Sequence, residues 1–224
     1  MPSPYSLEGC VAVATGGSGI LGSAFSRALA SAGAAVGALA RTNDAVASTV
    51  DATAGESGEA FGLPAEVLER SQADRARETV LERYGRVDIL VNAAGGNVPE
   101  ATLVEGEPFF DLPLEALRQV VDLNLFGTVL PCQTLGAAMT PPGDADTASR
   151  SIVNVSSLAA QRTLTRVAGY AAVKEAVESF TRWLAVDCAR LYGDRLRVNA
   201  IAPGFFAADQ NRALLHGFGA FSGV

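Results

Sequence analysis

The first forty residues constrain the fold of this chain more than any other stretch. Cys10 to Ala14 is an apolar run of strand length, and Gly16, Gly19 and Gly22 follow it at spacings of three. Ala24 to Ala32 reads as a helix of small residues suited to lie on a sheet, Gly33 ends it, and Ala35 to Leu39 is a second apolar run. Strand, helix and strand in that order make a βαβ unit, whose crossover sets the two strands parallel. Glycines at the strand-to-helix turn permit a tight turn and close backbone approach. The helix N-terminus then offers free N–H groups and its positive dipole end to a pyrophosphate. Taken alone, the glycines are equally consistent with a plain tight turn.

A second stretch carries chemistry. Ser151 to Lys174, SIVNVSSLAAQRTLTRVAGYAAVK, begins as a strand through the β-branched Ile152, Val153 and Val155 and ends as a helix. Tyr170 and Lys174 stand four apart, on one helical face. Lys174 is the sole lysine among 17 basic residues. A compact ammonium beside a phenol stabilises the phenolate. Lys174 is therefore expected to lower Tyr170 from its ordinary pKa of about 10 and make it an acid/base near neutrality. The competing reading is an amphipathic helix with an exposed Tyr and Lys.

The strand ending in Asn154-Val-Ser-Ser157, with Tyr170 thirteen residues after Ser157 and Lys174 completing Tyr-x-x-x-Lys, resembles the short-chain dehydrogenase/reductase family. The resemblance implies an α/β fold in which residues 1–224 form a single domain: a Rossmann-type, doubly wound parallel β-sheet with helices on both faces. It also implies roles. Ser157 would polarise a substrate carbonyl, Tyr170 would exchange the proton, and Lys174 would hold the nicotinamide ribose and tune Tyr170. Asp122-Leu-Asn124 matches the family's helix asparagine, so Asn124 would hold a water that links Lys174 to bulk solvent.

Further residues take cofactor roles by the same resemblance. Gly16, Ser18, Gly19, Ile20 and Gly22 would meet the pyrophosphate, although Ile20 stands where the commoner pattern has its middle glycine. Glu66 and Val67 lie where the family places adenine contacts. Val87 to Asn92 reads as a strand in which Asn92 ties neighbouring strands together, and Ala93, Ala94 and Gly95 after it would line the cofactor. Pro203-Gly204 would border the nicotinamide, while Ala207-Ala208 replaces a threonine that often binds there. Ala40 holds the position that is Asp in NAD-preferring relatives, and Arg41 follows, where a guanidinium pairs with a 2′-phosphate. NADP is the expected cofactor, with NAD the alternative.

The remaining elements follow from periodicity and punctuation. Asn43 to Gly55 and Gln72 to Tyr84 read as helices, with Ala60 to Leu63 a strand between them. Residues 98–114 form a proline-bearing acidic loop. Leu114 to Met139 reads as a long helix interrupted by Gly127, and 140–150 as a polar loop. The Tyr170 helix runs to about Tyr192, and Leu196 to Ile201 is a strand. Family members generally reach about 250 residues. A segment near 215–216 is therefore expected to be omitted from the sequence, with a substrate loop, a helix and a final strand unaccounted for; the alternative is a true deletion, which would remove the sheet's last strand and leave an exposed edge.

Composition narrows the class. The chain is 49% hydrophobic, 18% charged and carries a net charge of −7 without a basic run, which argues against a nucleic-acid partner. No apolar run approaches the ~20 residues of a membrane span. Cys10, Cys132 and Cys188 are scattered and read as reduced thiols, which fits a cytoplasmic protein. No metal-ligand spacing occurs. The sole histidine, His216, leaves little room for a Ser-His-Asp hydrolase. Phe180 and Trp183 on the Tyr170 helix are expected at a homodimer or homotetramer interface, as in the family, with packing inside one chain as the alternative.

The runs AAGGN (93–97), FFDL (109–112), LTRVAGYAAVK (164–174) and APGFFAADQNRALL (202–215) resemble the subgroup described as D-mannonate oxidoreductases or fructuronate reductases. A sugar acid needs a cation for its carboxylate and polar groups for its hydroxyls. Candidates are Asn97, Ser157, Arg162, Arg166, Gln210, Asn211 and Arg212. The alternatives are a reductase of another carbonyl compound, such as a 3-oxoacyl thioester or a polyol-derived ketone, and a non-catalytic NADP sensor.

Overall fold

The computed structural model describes residues 5–104, 106–140 and 148–205. Six strands, β1 (Val11–Thr15), β2 (Ala35–Ala40), β3 (Glu59–Pro64), β4 (Ile89–Asn92), β5 (Arg150–Val155) and β6 (Leu196–Ile201), form one all-parallel sheet in the order β3-β2-β1-β4-β5-β6. The order reverses between β1 and β4. Chain segments leaving the strands diverge there and open a crevice at the carboxyl ends.

Among the described residues, seven α-helices accompany the sheet: α1 (Ile20–Ser31), α2 (Asn43–Ala52), α3 (Arg70–Tyr84), α4 (Leu114–Val121), α5 (Gly127–Thr134), α6 (Leu158–Gln161) and α7 (Ala168–Tyr192). Alternation along β1 shows how both faces are used. Val11 and Val13 pack with Val80, Leu135, Ile152 and Cys188 on one face. Ala12 lies with Ala30 of α1 on the other, where Ala14 meets Leu21 and Phe25. Small residues on that face let α1 sit close to the strand.

Several boundaries move from their sequence-based positions. α1 begins at Ile20, four residues before Ala24, with Gly19 in extended backbone as its N-cap. The expected long helix of 114–139 is broken not by Gly127 alone but by a π-helical turn over Asp122–Phe126, which separates α4 from α5. A 3-10 turn, Gly136–Met139, ends this segment. The loop of 98–114 contains two 3-10 turns, Pro99–Ala101 and Phe109–Asp111. Arg150, expected in a polar loop, is a buried residue of β5 whose guanidinium donates to the Met139 carbonyl and lies 3.8 Å from the buried Asp88. Asp88 also accepts the Val11 N–H at 2.8 Å and pairs with Arg86, so this charge cluster ties β1, β4 and β5 together at the end away from the crevice. The expected omission near 215–216 lies outside the described residues.

Candidate active site

The crevice is built from the ends of four strands. After β1, Gly16 turns back with φ of +63°. A Cβ there would meet Ala94 N at 2.7 Å and Ala93 O at 2.8 Å, so only glycine lets the β1 and β4 turns touch. Thr15 Oγ1 accepts from Ala93 N at 3.1 Å and Ala94 N at 3.2 Å, locking the two turns together. A Cβ on Gly22 would run into the Gly16 carbonyl, which fixes α1 against its own turn. Ser18, Gly19 and Ile20 are exposed around the α1 N-terminus, whose first N–H groups have no partner within the helix. This cradle fits the diphosphate of a dinucleotide, with Ile20 presenting its side chain outward, 51% exposed.

After β4, Asn92 and Asn154 are register partners, and Asn92 Nδ2 donates to Asn154 Oδ1 at 2.9 Å. Asn154 Nδ2 continues to Thr181 Oγ1 of α7 at 2.9 Å. Asn92 thus ties strands together as the sequence suggested. Its neighbour Cys132, held in the same network, is pushed up to about 12 by burial. Gly95 fills a narrow place: a Cβ on it would lie 2.7 Å from Asn124 Oδ1 and 3.2 Å from Lys174 Nζ.

Asn124 is fully buried in the π-helical turn. Its Oδ1 accepts Gly96 N at 3.0 Å, and its Nδ2 donates to Gly96 O at 2.7 Å and Val120 O at 2.8 Å. The Asn124 carbonyl accepts Thr128 Oγ1 at 2.8 Å. Both Nδ2 hydrogens and one Oδ1 lone pair thus go to the backbone, so the Asn124 side chain fixes the Gly95–Gly96 turn that Asn124 and Lys174 flank.

After β5, Ser157 caps α6, with its Oγ accepting Ala159 N at 3.1 Å. That leaves the hydroxyl proton free to face the Tyr170 phenol, on which Ser157 has a lowering effect. Lys174 is 3% exposed and donates to Val155 O at 2.9 Å. Its ammonium lies 5.5 Å from the Tyr170 ring centroid, over the ring. Burial pulls Lys174 down to about 8. Burial also pushes the Tyr170 phenol up, with the Ser157 hydrogen bond as a smaller opposing effect. The expected lowering of Tyr170 is thus not found, because desolvation of the phenol outweighs the opposing effect of Ser157.

These groups line a cavity of about 530 Å³ that also takes in Leu21, Ala93, Gly95, Asn97, Arg166, Pro203 and Gly204. Arg166 has φ of +72°, the only non-glycine positive φ among the described residues. Two bonds hold it there: its Nε donates to Leu103 O at 2.6 Å, and its carbonyl accepts Leu103 N at 2.9 Å. Asn97 Nδ2 donates to Thr102 Oγ1 at 2.6 Å, leaving a buried Oδ1 without a partner. Arg162, expected beside Arg166, is exposed at the end of α6 and does not line the cavity. Gln210, Asn211 and Arg212, like Ala207, Ala208 and His216, lie outside the described residues. Glu66 and Val67 follow β3. The Val67 side chain turns into the core, and the Glu66 N–H donates to Gln72 Oε1 at 2.9 Å. Arg41 is exposed at the end of β2, without an ion pair among the described residues. Sequence reasoning missed Thr102, Leu164 and Val167 in the cavity wall, because nothing local marks an irregular segment as lining.

The model of the short chain dehydrogenase family matches residues 10–217. The chain belongs to the short-chain dehydrogenase family. This dehydrogenase is 40% identical over 223 residues to an uncharacterized oxidoreductase, UxuB, of Bacillus subtilis, which spans 96% of this chain and 77% of the relative. It is 32% identical over 205 residues to a 3-oxoacyl-(acyl-carrier-protein) reductase of Synechocystis, spanning 91% and 77%. A structure from Haemophilus influenza, provisionally named a D-mannonate oxidoreductase and solved with bound NAD, superposes with a TM-score of 0.83 at 32% identity, over 94% of this chain and 76% of the other. The RhlG/NADP complex of Pseudomonas aeruginosa superposes with a TM-score of 0.83 at 27% identity, over 96% and 80%. The dehydrogenase family uses NAD or NADP, and the cradle at the head of α1 fits either.

Proposed function

We propose that this dehydrogenase transfers a hydride between NADP and a small ketone bearing a carboxylate, of the fructuronate/mannonate sugar-acid class. The observation that carries the reading is the convergence of Ser157, Tyr170 and Lys174 on one cavity whose wall holds Arg166 in a fixed, strained pose. When bound, the dinucleotide supplies or accepts the hydride equivalent. Ser157 donates a hydrogen bond to the carbonyl oxygen, and Tyr170 gives its phenolic proton to that oxygen in the reductive direction. Lys174 places a positive charge over the tyrosine ring and keeps N–H groups for ribose hydroxyls. Asn124 positions the Gly95–Gly96 turn beside them. Arg166 offers the remaining guanidinium N–H groups to a carboxylate, and Asn97 and Thr102 offer polar atoms to hydroxyls.

Arg41 supports NADP over NAD, since a free guanidinium at the end of β2 suits a 2′-phosphate. Exposed Trp183 (62%) and Val186 (71%) on α7, with Phe126, support a homodimer or homotetramer. Three free thiols support a reducing, cytoplasmic setting. No helix among the described residues is long and apolar enough to cross a membrane.

The test is NADPH and NADH oxidation with fructuronate, tagaturonate, 5-ketogluconate and an acetoacetyl thioester. Turnover with the acidic sugars and a preference for NADPH is expected. A second reading, reduction of a 3-oxoacyl thioester, is favoured by the apolar wall of Val98, Val104, Leu164 and Val167. Turnover of the thioester alone would replace the first reading with the second. Tyr170→Phe should abolish turnover and leave NADPH affinity within about twofold of wild type; retained turnover would remove Tyr170 from the chemistry.

A further inference from the structure

Tyr170 and Lys174 belong to a longer stripe on α7, continued at the same spacing by Glu178 and Arg182. The Glu178 side chain is 13% exposed and faces the turn that carries Ser157. Ser156 Oγ donates to Glu178 Oε1 at 2.8 Å, and Gln161 Nε2 reaches the same oxygen at 3.3 Å. The residues bonded to Glu178 thus bracket the Ser157–Gln161 turn, one immediately before Ser157 and one at the last residue of α6. Arg182 Nη1 stands 3.7 Å from the other carboxylate oxygen while its Nη2 pairs with Glu175 at 3.2 Å, which holds the Glu178 head group from the solvent side.

The rest of the turn is held by backbone bonds to the β6 end: Ser156 N to Ile201 O at 2.8 Å and Leu158 N to Pro203 O at 2.9 Å. Those bonds fix the turn to the sheet, and Lys174 Nζ ties α7 to Val155 O just before it, while the reach from Ser156 to Gln161 is tied to α7 through Glu178. A four-residue helix is too short to hold its own position. Apart from the Tyr170 phenol that faces Ser157, Glu178 is the side-chain acceptor that α7 offers to this turn among the described residues. The Ser156 hydroxyl has one proton, and the Lys174 carbonyl at 3.3 Å is the weaker acceptor. The charged, shorter partner takes it.

We propose that Glu178 is a positioning residue: its carboxylate clamps the Ser156–Gln161 turn to α7 and so holds the Ser157 hydroxyl in register with Tyr170. The proposal rests on the reading of Ser157, Tyr170 and Lys174 as the reacting set. Hydrogen bonds one step behind a reacting group fix its rotamer and place, and a displacement on the order of 1 Å can cost a hundredfold in rate.

The experiment compares wild type, Glu178→Ala, Glu178→Gln, Ser156→Ala and the Ser156→Ala/Glu178→Ala double variant, with Tyr170→Phe as a control. Steady-state rates are measured with NADPH and whichever ketone the wild type turns over, NADPH affinity by fluorescence, and thermal unfolding without cofactor. Glu178→Ala is expected to lower kcat on the order of ten- to a hundredfold, with NADPH affinity and ketone KM little changed. Glu178→Gln, whose amide oxygen still accepts from Ser156, should recover most of that loss. The double variant should be no worse than the poorer single one in kcat and melting temperature. If Glu178→Ala keeps kcat within twofold, or Glu178→Gln is as poor as Glu178→Ala, the clamp is wrong. Should Glu178→Ala fail to fold, the Ser156→Ala and Glu178→Gln rates decide the question alone. A fully active Tyr170→Phe would instead overturn the reading of the site, and the clamp with it, whatever the Glu178 variants do.

Discussion

Gly95→Ala is a sharp test of the packing behind the site. Gly95 needs no left-handed backbone, so the substitution acts through space alone. The new methyl would lie 2.7 Å from Asn124 Oδ1 and 3.2 Å from Lys174 Nζ. The first contact is too short to persist, so one neighbour must move. Asn124 is fully buried and makes three side-chain hydrogen bonds, two of them to Gly96. Shifting its amide enough to clear the methyl breaks one or both Gly96 bonds in a place water does not reach. Each buried polar group left unpaired costs about 1–3 kcal/mol. Lys174, 3% exposed and bonded to Val155 O, offers no cheaper escape. A loss of about 3 kcal/mol corresponds to roughly 6–12 °C in melting temperature for a chain of this size. Thermal unfolding by circular dichroism, with and without NADPH, measures it. The expected result is that fall together with weakened NADPH binding, since Lys174 and the 93–96 turn move as one. A melting temperature within about 1 °C of wild type, with unchanged activity, would refute the reasoning that Asn124 is locked to Gly96.

Further outcomes follow from other parts of the structure. Lys174 is pulled down to about 8 by burial, so between pH 8 and its ordinary 10.5 the unfolded chain binds the extra proton. Lys174 therefore makes stability rise with pH across that window, by up to about 1.4 kcal/mol per pH unit. Urea unfolding of wild type against Lys174→Met should show the difference growing in favour of wild type from pH 8 to 10; a constant difference would deny the buried ammonium. Cys132 works the other way, because its thiol keeps its proton up to about 12 while the unfolded thiol loses it near 9. Cys132→Ala should flatten the loss of stability above pH 9, and equal slopes would count against a desolvated thiol. Asn154→Ala removes the donor to Thr181 Oγ1, which keeps its bond to Val177 O, and leaves Asn92 Nδ2 with only the Cys132 sulfur in a place that also loses the Asn154 side chain. It should cost about 2–4 kcal/mol in chemical denaturation, and a cost under about 0.5 kcal/mol would show the ladder to be unimportant. Arg166→Lys should raise KM for an acidic ketone about tenfold or more, because a lysine cannot hold Leu103 O and a carboxylate at once. Unchanged KM would move the carboxylate site elsewhere.

The chain's alternation of apolar runs and helical stretches was enough to determine a parallel sheet, because strand and helix periods are local properties of a few neighbouring residues. The same locality made Tyr170 and Lys174 legible: four residues on a helix share a face whatever surrounds them. The glycines of the first turn were legible too, although not that Gly16 is required by the backbone of Ala93 and Ala94, far along the chain. The tertiary structure decided what depends on partners through space. Arg162 and Arg166 are indistinguishable in an irregular segment, and the positive φ and the two bonds to Leu103 set Arg166 alone against the cavity. Asn124 matched a motif, yet its amide serves Gly96, because the π-helical turn sets its reach. The Tyr170 phenol moved opposite to expectation, since a neighbouring charge can be read from spacing but the loss of water around a group cannot. Glu178 illustrates the division: the sequence places it one turn beyond Lys174, and only the fold brings Ser156 and Gln161 to its carboxylate.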